Sequence, residues 1–154
     1  MPIRPAITFT DLDAVRDLFR DYAESLDFEL CFQGFEEELE GLPGPYAPPR
    51  GHILLAEVEG EPVGVVALKP LDEENVCEMK RLYVAPAHRR QGIARALTER
   101  LLTVARDLGY TTMRLDTVAS MTAARSLYRS LGFQKRDAYY SNPLPDVVYM
   151  ELDL

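Results

Sequence analysis

Leu82-Tyr83-Val84-Ala85-Pro86-Ala87-His88-Arg89-Arg90-Gln91-Gly92-Ile93-Ala94-Arg95 is the stretch on which the reading of this chain turns. Val76 to Val84 reads as a strand that Pro86 ends. Gly92 opens the longest helical pattern, about 92–108, with Ile93, Leu97, Leu101, Ala105 and Leu108 as its apolar stripe and Gly109 as its stop. The first N–H groups of a helix lack intrahelical partners and sit at the positive end of its dipole, where phosphate oxygens are well accommodated. Gly92 and Ala94 keep that approach free of bulk, and Arg89, Arg90 and Arg95 add positive charge. A helix that begins at a glycine and carries surface arginines explains any one of these features; their concurrence favours a bound polyanion. Neither the Gly-Lys-Ser/Thr of a P-loop nor the three spaced glycines of a dinucleotide fold is present.

Outward from this stretch, the chain alternates helices and strands. Thr10-Asp11-Leu12-Asp13 reads as a helix cap, with Leu12, Val15, Leu18, Phe19, Tyr22 and Leu26 at helical spacing over about 11–25. Phe35 to Leu39 suggests a short acidic helix before the irregular Gly41–Pro49 segment. His52 to Val58 and Val63 to Leu68 form a predicted hairpin around Glu59-Gly60-Glu61-Pro62. After the long helix come a strand at Met113–Val118, a helix at about 121–131, and strands near Phe133–Tyr140 and Val147–Leu152. That order predicts an α/β fold on a mixed sheet, antiparallel at first and parallel around the long helix.

The 154 residues suit one domain, here taken as 1–154, able to bury a core without disulfide staples. Hydrophobic residues make up 47% and charged residues 27%, which excludes a largely disordered chain. No apolar run is long enough for a membrane span, and the start lacks a signal peptide's apolar stretch, so a cytoplasmic location is expected. Cys31 and Cys77 fit no zinc spacing, and His52 and His88 lack ligand partners, so no metal is expected. The formal charge is −8, divided into 5 basic and 17 acidic side chains in residues 1–77, then 12 basic and 8 acidic in 78–154. An acidic chain is a poor DNA binder, but a basic second half suits a small polyanion.

Residues 76–133 resemble the GNAT superfamily of acyl-CoA-dependent N-acetyltransferases. Arg89-x-x-Gly92-x-Ala94 is similar to its pyrophosphate-binding pattern, and Leu82-Tyr83-Val84-Ala85-Pro86 to the strand end before it. Ala124-Arg125-Ser126-Leu127-Tyr128-Arg129-Ser130-Leu131-Gly132-Phe133 looks like the family's Ala-x-x-x-Tyr-x-x-x-Gly-Phe segment. The resemblance implies a sheet of about six or seven strands with helices on both faces and a splayed parallel pair at the coenzyme site. It implies that acetyl-CoA is the acyl donor. Arg89, Arg90, Gln91, Gly92, Ile93, Ala94 and Arg95 would hold the pyrophosphate, and Leu82, Tyr83 and Val84 the pantetheine arm through their backbone. Tyr83 and Val84 are equally readable as ordinary strand residues.

Acetylating an amine requires a proton acceptor for nitrogen and a proton donor for the leaving thiolate. By the same resemblance Glu78 is the candidate base, although a Glu paired with Arg114, or simply solvated, reads as well. Asp116 is the reserve carboxylate. Tyr128 resembles the tyrosine that protonates the coenzyme sulfur, with a core aromatic as its plainer reading. Many relatives carry Asn where Met121 stands, so Ser120 or backbone must take over that amide's contacts. A small-molecule amine acceptor is expected beside the N-terminal helices and last hairpin. Phe28, Phe32, Tyr139 and Tyr140 could line its pocket, Glu29, Glu36 and Asp146 could attract a cation, and Lys80 or Arg81 could clamp a carboxylate. No nucleic acid or membrane is an expected partner, while the terminal hairpin would permit a homodimer. The rival reading is an inactive acyl-CoA-binding sensor or interaction module.

Overall fold

The computed structural model describes residues 2–26, 30 and 34–154. After a short edge strand, β1 (Ile3–Pro5), comes α1 (Phe9–Ser25). Its cap lies two residues earlier than the sequence predicts. Thr8 Oγ1 accepts the Asp11 N–H, while the Asp11 carboxylate takes the N–H groups of Ile7 and Thr8 and both terminal nitrogens of Arg4. Asp11 is buried, and these bonds, those from Arg4 foremost, hold its carboxyl well below the usual carboxylate range. Thr8 and Asp11 thus form a reciprocal capping box within four residues, and Arg4 adds an ion pair to it.

Next come α2 (Phe35–Glu40), β2 (His52–Val58), β3 (Glu61–Pro70), β4 (Val76–Val84), α3 (Ile93–Asp107), β5 (Thr112–Val118), α4 (Thr122–Ser130), β6 (Gln134–Arg136) and β7 (Val147–Asp153). Seven strands form one sheet in the order β1-β2-β3-β4-β5-β7-β6, antiparallel throughout except for the parallel pair β4–β5. This is the mixed α/β sheet that the element order predicts. Among the strands one expectation fails: the strand placed near 133–140 ends at Arg136, and the chain beyond it brings the Tyr139 and Tyr140 hydroxyls to Glu78 on β4 and Asp116 on β5.

Alternation along the strands divides the core in two. Leu54, Val66, Leu68, Cys77, Met79 and Met113 pack with α3 and α4 on one face. Ile53, Leu55, Val65, Ala67 and Tyr83 pack with α1 and α2 on the other. The long helix sits close to the sheet because Gly64 lies beneath it: a Cβ there would meet Leu97 Cδ1 at 3.0 Å and Ile93 Cγ2 at 3.3 Å. Leu97 and Leu101 are fully buried, each contributing about 1.5–3 kcal/mol by removal from water. That packing fixes the start of α3 beside the end of β4.

Candidate active site

The parallel strands pair only at Val76 with Thr112, Cys77 with Met113 and Glu78 with Arg114. Beyond these positions they part, and β5 continues pairing with β7 as far as Val118 opposite Val147. A narrow cavity of about 70 Å³ occupies the gap. Met79, Lys80 and Leu82 line one side, Leu115, Asp116 and Thr117 the other, with Met121 and Tyr128 above.

A β-bulge accompanies the parting. Val65 lies opposite Tyr83 and Ala67 opposite Lys80, so three steps along β4 match two along β3. The extra residue reverses the alternation: Cys77 and Met79 face α3, whereas Tyr83 faces α1 and Val84 returns to the α3 side. Arg81 adopts a left-handed backbone at φ 63°, a conformation that costs a non-glycine residue about 1–3 kcal/mol. Its buried side chain donates from Nε and Nη2 to the two Glu38 oxygens, each at 3.0 Å, and lies over the Phe35 ring at 5.3 Å. Burial opposes the guanidinium charge, but the Glu38 hydrogen bonds prevail and its pKa rises. Helix α2 thereby holds the bulge in place. Arg81 and Leu82 have no register partner on either neighbouring strand.

At the far end of the gap, β4 passes through a single turn at Pro86–His88 into α3. Gly92 caps the helix at φ 79°, where a Cβ would meet nothing within 4 Å; its conformation, not its space, demands glycine. Ala96 N–H is the first to bond back, to Gly92 O at 3.0 Å, so those of Ile93, Ala94 and Arg95 face outward from the helix end. Arg89 is less free than the sequence suggests. Its Nε donates to Val84 O at 2.9 Å and its guanidinium lies over Tyr83 at 5.5 Å, tying the loop to the strand end. Arg95 donates to Ser130 Oγ at 2.6 Å, while Arg90 and Gln91 are exposed.

Glu78 is 3% exposed at the last paired position of β4. The Tyr139 hydroxyl donates to it in a short hydrogen bond, and Lys69 Nζ and Lys80 Nζ stand 3.8 Å and 4.0 Å from its Oε1. Both bland expectations for Glu78 are thereby corrected. It is not solvated, and Arg114 bonds instead to Glu73, in the turn before β4, and to Glu151 on β7, each at 2.8 Å. Asp116, on the parted half of β5, accepts from the Tyr140 hydroxyl and from Asn142 Nδ2 at 3.0 Å. Tyr139, Tyr140 and Tyr149 form a three-ring cluster with centroids 5.3–5.8 Å apart. Burial foremost pushes the Tyr139 and Tyr140 phenols upward, so both stay protonated as donors to their carboxylates.

A larger cleft, about 650 Å³, opens on the α2 side. Glu38, Tyr46, Lys69, Glu78, Arg114 and Tyr139 line it, and Lys80 and Arg81 line both cavities. Burial lowers the ammonium pKa of Lys80, whereas Arg81 is engaged by Glu38. Tyr128 packs on Phe133 at 5.8 Å, and its hydroxyl bonds to no described residue; burial pushes that phenol upward as well. Met121 caps α4, and its sulfur accepts from Thr117 Oγ1 at 3.4 Å in place of an amide. Glu36 and Asp146 are exposed and line neither cavity, and the expectations for Phe28, Glu29, Cys31 and Phe32 fall outside the described residues. Among the described residues no group of three or more His, Cys, Asp or Glu could hold a metal, and no helix is long and apolar enough to cross a membrane. Cys77 is a core thiol that burial pushes up to about 12.

Glu38, Lys69 and Tyr149 are the site residues that sequence reasoning missed. The bulge did leave a signal: Lys80-Arg81 puts two charged residues in succession where a half-buried strand should alternate.

Known proteins resemble this chain in sequence and in fold. The chain is 39% identical over 145 residues to an uncharacterized N-acetyltransferase of Schizosaccharomyces pombe, covering 94% of this chain and 89% of that one. An acetyltransferase of the GNAT family from Staphylococcus aureus Mu50 shares the fold with a TM-score of 0.80, at 17% identity and 99% coverage of both chains. The PaiA N-acetyltransferase of Thermoplasma acidophilum, solved in complex with coenzyme A, matches with a TM-score of 0.77, at 20% identity over the whole of both chains. Residues 12–133, which span the bulge, the Gly92 loop and Tyr128, match the model of the acetyltransferase (GNAT) family. The chain belongs to that family and is an acyltransferase.

Proposed function

We propose that this protein transfers an acetyl group from acetyl-CoA directly to a primary amine of a small molecule or peptide, with both substrates bound together. The observation that carries this reading is the parting of β4 from β5, which joins the Gly92 loop at one end to Glu78 at the other. Acetyl-CoA supplies the reactive thioester. The N–H groups at the start of α3 suit its pyrophosphate, and Arg90 and Gln91 are exposed beside them. Arg89, bound to Val84 O, orders that loop. Leu82, Tyr83 and Val84 offer backbone to the arm, and Leu82, without a register partner, has an N–H suited to the thioester oxygen.

The amine arrives from the larger cleft. The ammonium first gives one proton through Glu78 to solvent; the neutral nitrogen then forms the amide bond as the carbon–sulfur bond breaks, its second proton passing to Glu78 while Tyr128 gives one to sulfur and is reprotonated as Glu78 releases its own. An amine with a pKa near that of lysine, about 10.4, is mostly charged at neutral pH, so a carboxylate at the cleft floor supplies the missing base. Tyr139 holds Glu78 in position until the amine displaces or joins its hydroxyl. Tyr128 remains protonated because burial disfavours its phenolate.

Calorimetric titration with acetyl-CoA tests the reading. Saturable one-to-one binding is expected, weakened at least tenfold by Gly92→Glu, which puts a negative side chain at the helix start and strains a left-handed position. Thiol release on addition of amines follows. Absence of binding at millimolar acetyl-CoA overturns the proposal.

A further inference from the structure

We propose that the acceptor carries a carboxylate close to its amine, and that Lys69 holds this carboxylate. The proposal rests on the reading that Glu78 receives the amine. Lys69 and Glu78 lie directly opposite each other in the β3–β4 register, so their side chains share one face of the sheet. The Lys69 side chain is 32% exposed and its ammonium lines the larger cleft, 3.8 Å from Glu78 Oε1. That spacing is an ion pair beyond hydrogen-bond reach, and the ammonium bonds to no other described residue. Of the other cations of the cleft, Arg81 is matched by Glu38 and Arg114 by Glu73 and Glu151, while Lys80 Nζ stands 4.0 Å from the same Glu78 oxygen and also lines the narrow gap.

A cation and an anion thus stand side by side on the cleft floor without bonding to each other. A zwitterion laid against them in the opposite sense, its amine on Glu78 and its carboxylate on Lys69, completes a ring of alternating charge. Groups only a few ångströms apart can do this, as in an α- or β-amino acid. A diamine would set its second cation against Lys69, and a simple monoamine would leave the ammonium unmatched. Lys69 therefore discriminates among acceptors that the acidic N-terminal half would attract indiscriminately. It is a specificity residue, acting on the part of the acceptor that does not react.

The test compares acetyl-CoA-dependent thiol release with the proteinogenic amino acids and with their methyl esters, which keep the amine and lose the negative charge. The expected result is a higher kcat/KM for at least one amino acid than for its ester. That ratio should fall at least tenfold in Lys69→Gln and be retained within about threefold in Lys69→Arg, which keeps the cation. Esters used as readily as amino acids, or a ratio unchanged in Lys69→Gln, overturn the assignment while leaving the acetyltransferase reading intact. Thiol release with no amine of either set, despite saturable acetyl-CoA binding, rejects both amino acids and their esters as acceptors and overturns the assignment. Absence of acetyl-CoA binding overturns the underlying reading itself.

Discussion

The two halves of the β4–β5 pair are made from the same strands and behave oppositely. From Val76 to Glu78 the strands are in register, and the flanking Cys77 and Met113 are core residues. From Met79 onward they diverge around a cavity, and the side chains there include Lys80, Arg81 and Asp116. β-propensity does not separate them, since Leu82-Tyr83-Val84 is as strand-prone as Val76-Cys77. The difference lies in what each half packs against. The closed half is centred on the buried pair Cys77 and Met113, while the open half carries a bulge clamped from outside the sheet by Glu38 on α2. In this sheet the opening coincides with an anchor from outside the strands, the Glu38 carboxylate on Arg81.

Removing that anchor should have the largest effect. Arg81→Ala leaves the largely buried Glu38 carboxylate unpaired and releases the left-handed residue, and is expected to destabilise the protein by about 3–5 kcal/mol in urea titration. The double variant Arg81→Met, Glu38→Met should recover part of that loss. A loss below about 1 kcal/mol for Arg81→Ala would show that the bulge is intrinsic to β4.

Tyr128 and the two carboxylates sharpen the contrast at the level of chemistry. Tyr128→Phe is expected to lower kcat about 100-fold, near 2.7 kcal/mol, with acetyl-CoA affinity measured by calorimetry little changed. Glu78→Gln, at the last closed position, should lower kcat/KM about as much, and Asp116→Asn, on the open half, less than tenfold. The reverse order would assign the base to Asp116.

The smallest effect is expected far from the gap, at the start of α1. Asp11→Asn should cost about 1–2 kcal/mol at pH 7 through loss of the capping box and the Arg4 pair. Its folded pKa is depressed, so the stabilisation is present above the unfolded value of about 3.9 and is lost as pH falls below it. The difference between wild type and Asp11→Asn, followed by thermal unfolding from pH 7 to pH 3, should shrink in that direction. A constant difference would mean that Asp11 acts through packing rather than charge.

Much of this protein is legible in its sequence because local chemistry and period decide it. Gly92 before an amphipathic stripe, Pro86 after an apolar run, and the Glu59–Pro62 turn mark element boundaries that depend on neighbouring residues alone. The Ala124–Phe133 segment and the Arg89–Ala94 loop were likewise readable, since each is a contiguous run. What only the tertiary structure decided are meetings between residues distant in the chain. Arg81 finds Glu38, Glu78 finds Tyr139 and Lys69 rather than Arg114, and Asp116 finds Tyr140 and Asn142. Arg4, held beside β2 by strand pairing and by its ion pair with Glu57, likewise reaches Asp11 at the start of α1, whose capping box with Thr8 is itself local. Period and turn chemistry act over a few residues, whereas the partner of a buried charge is set by which strands lie side by side.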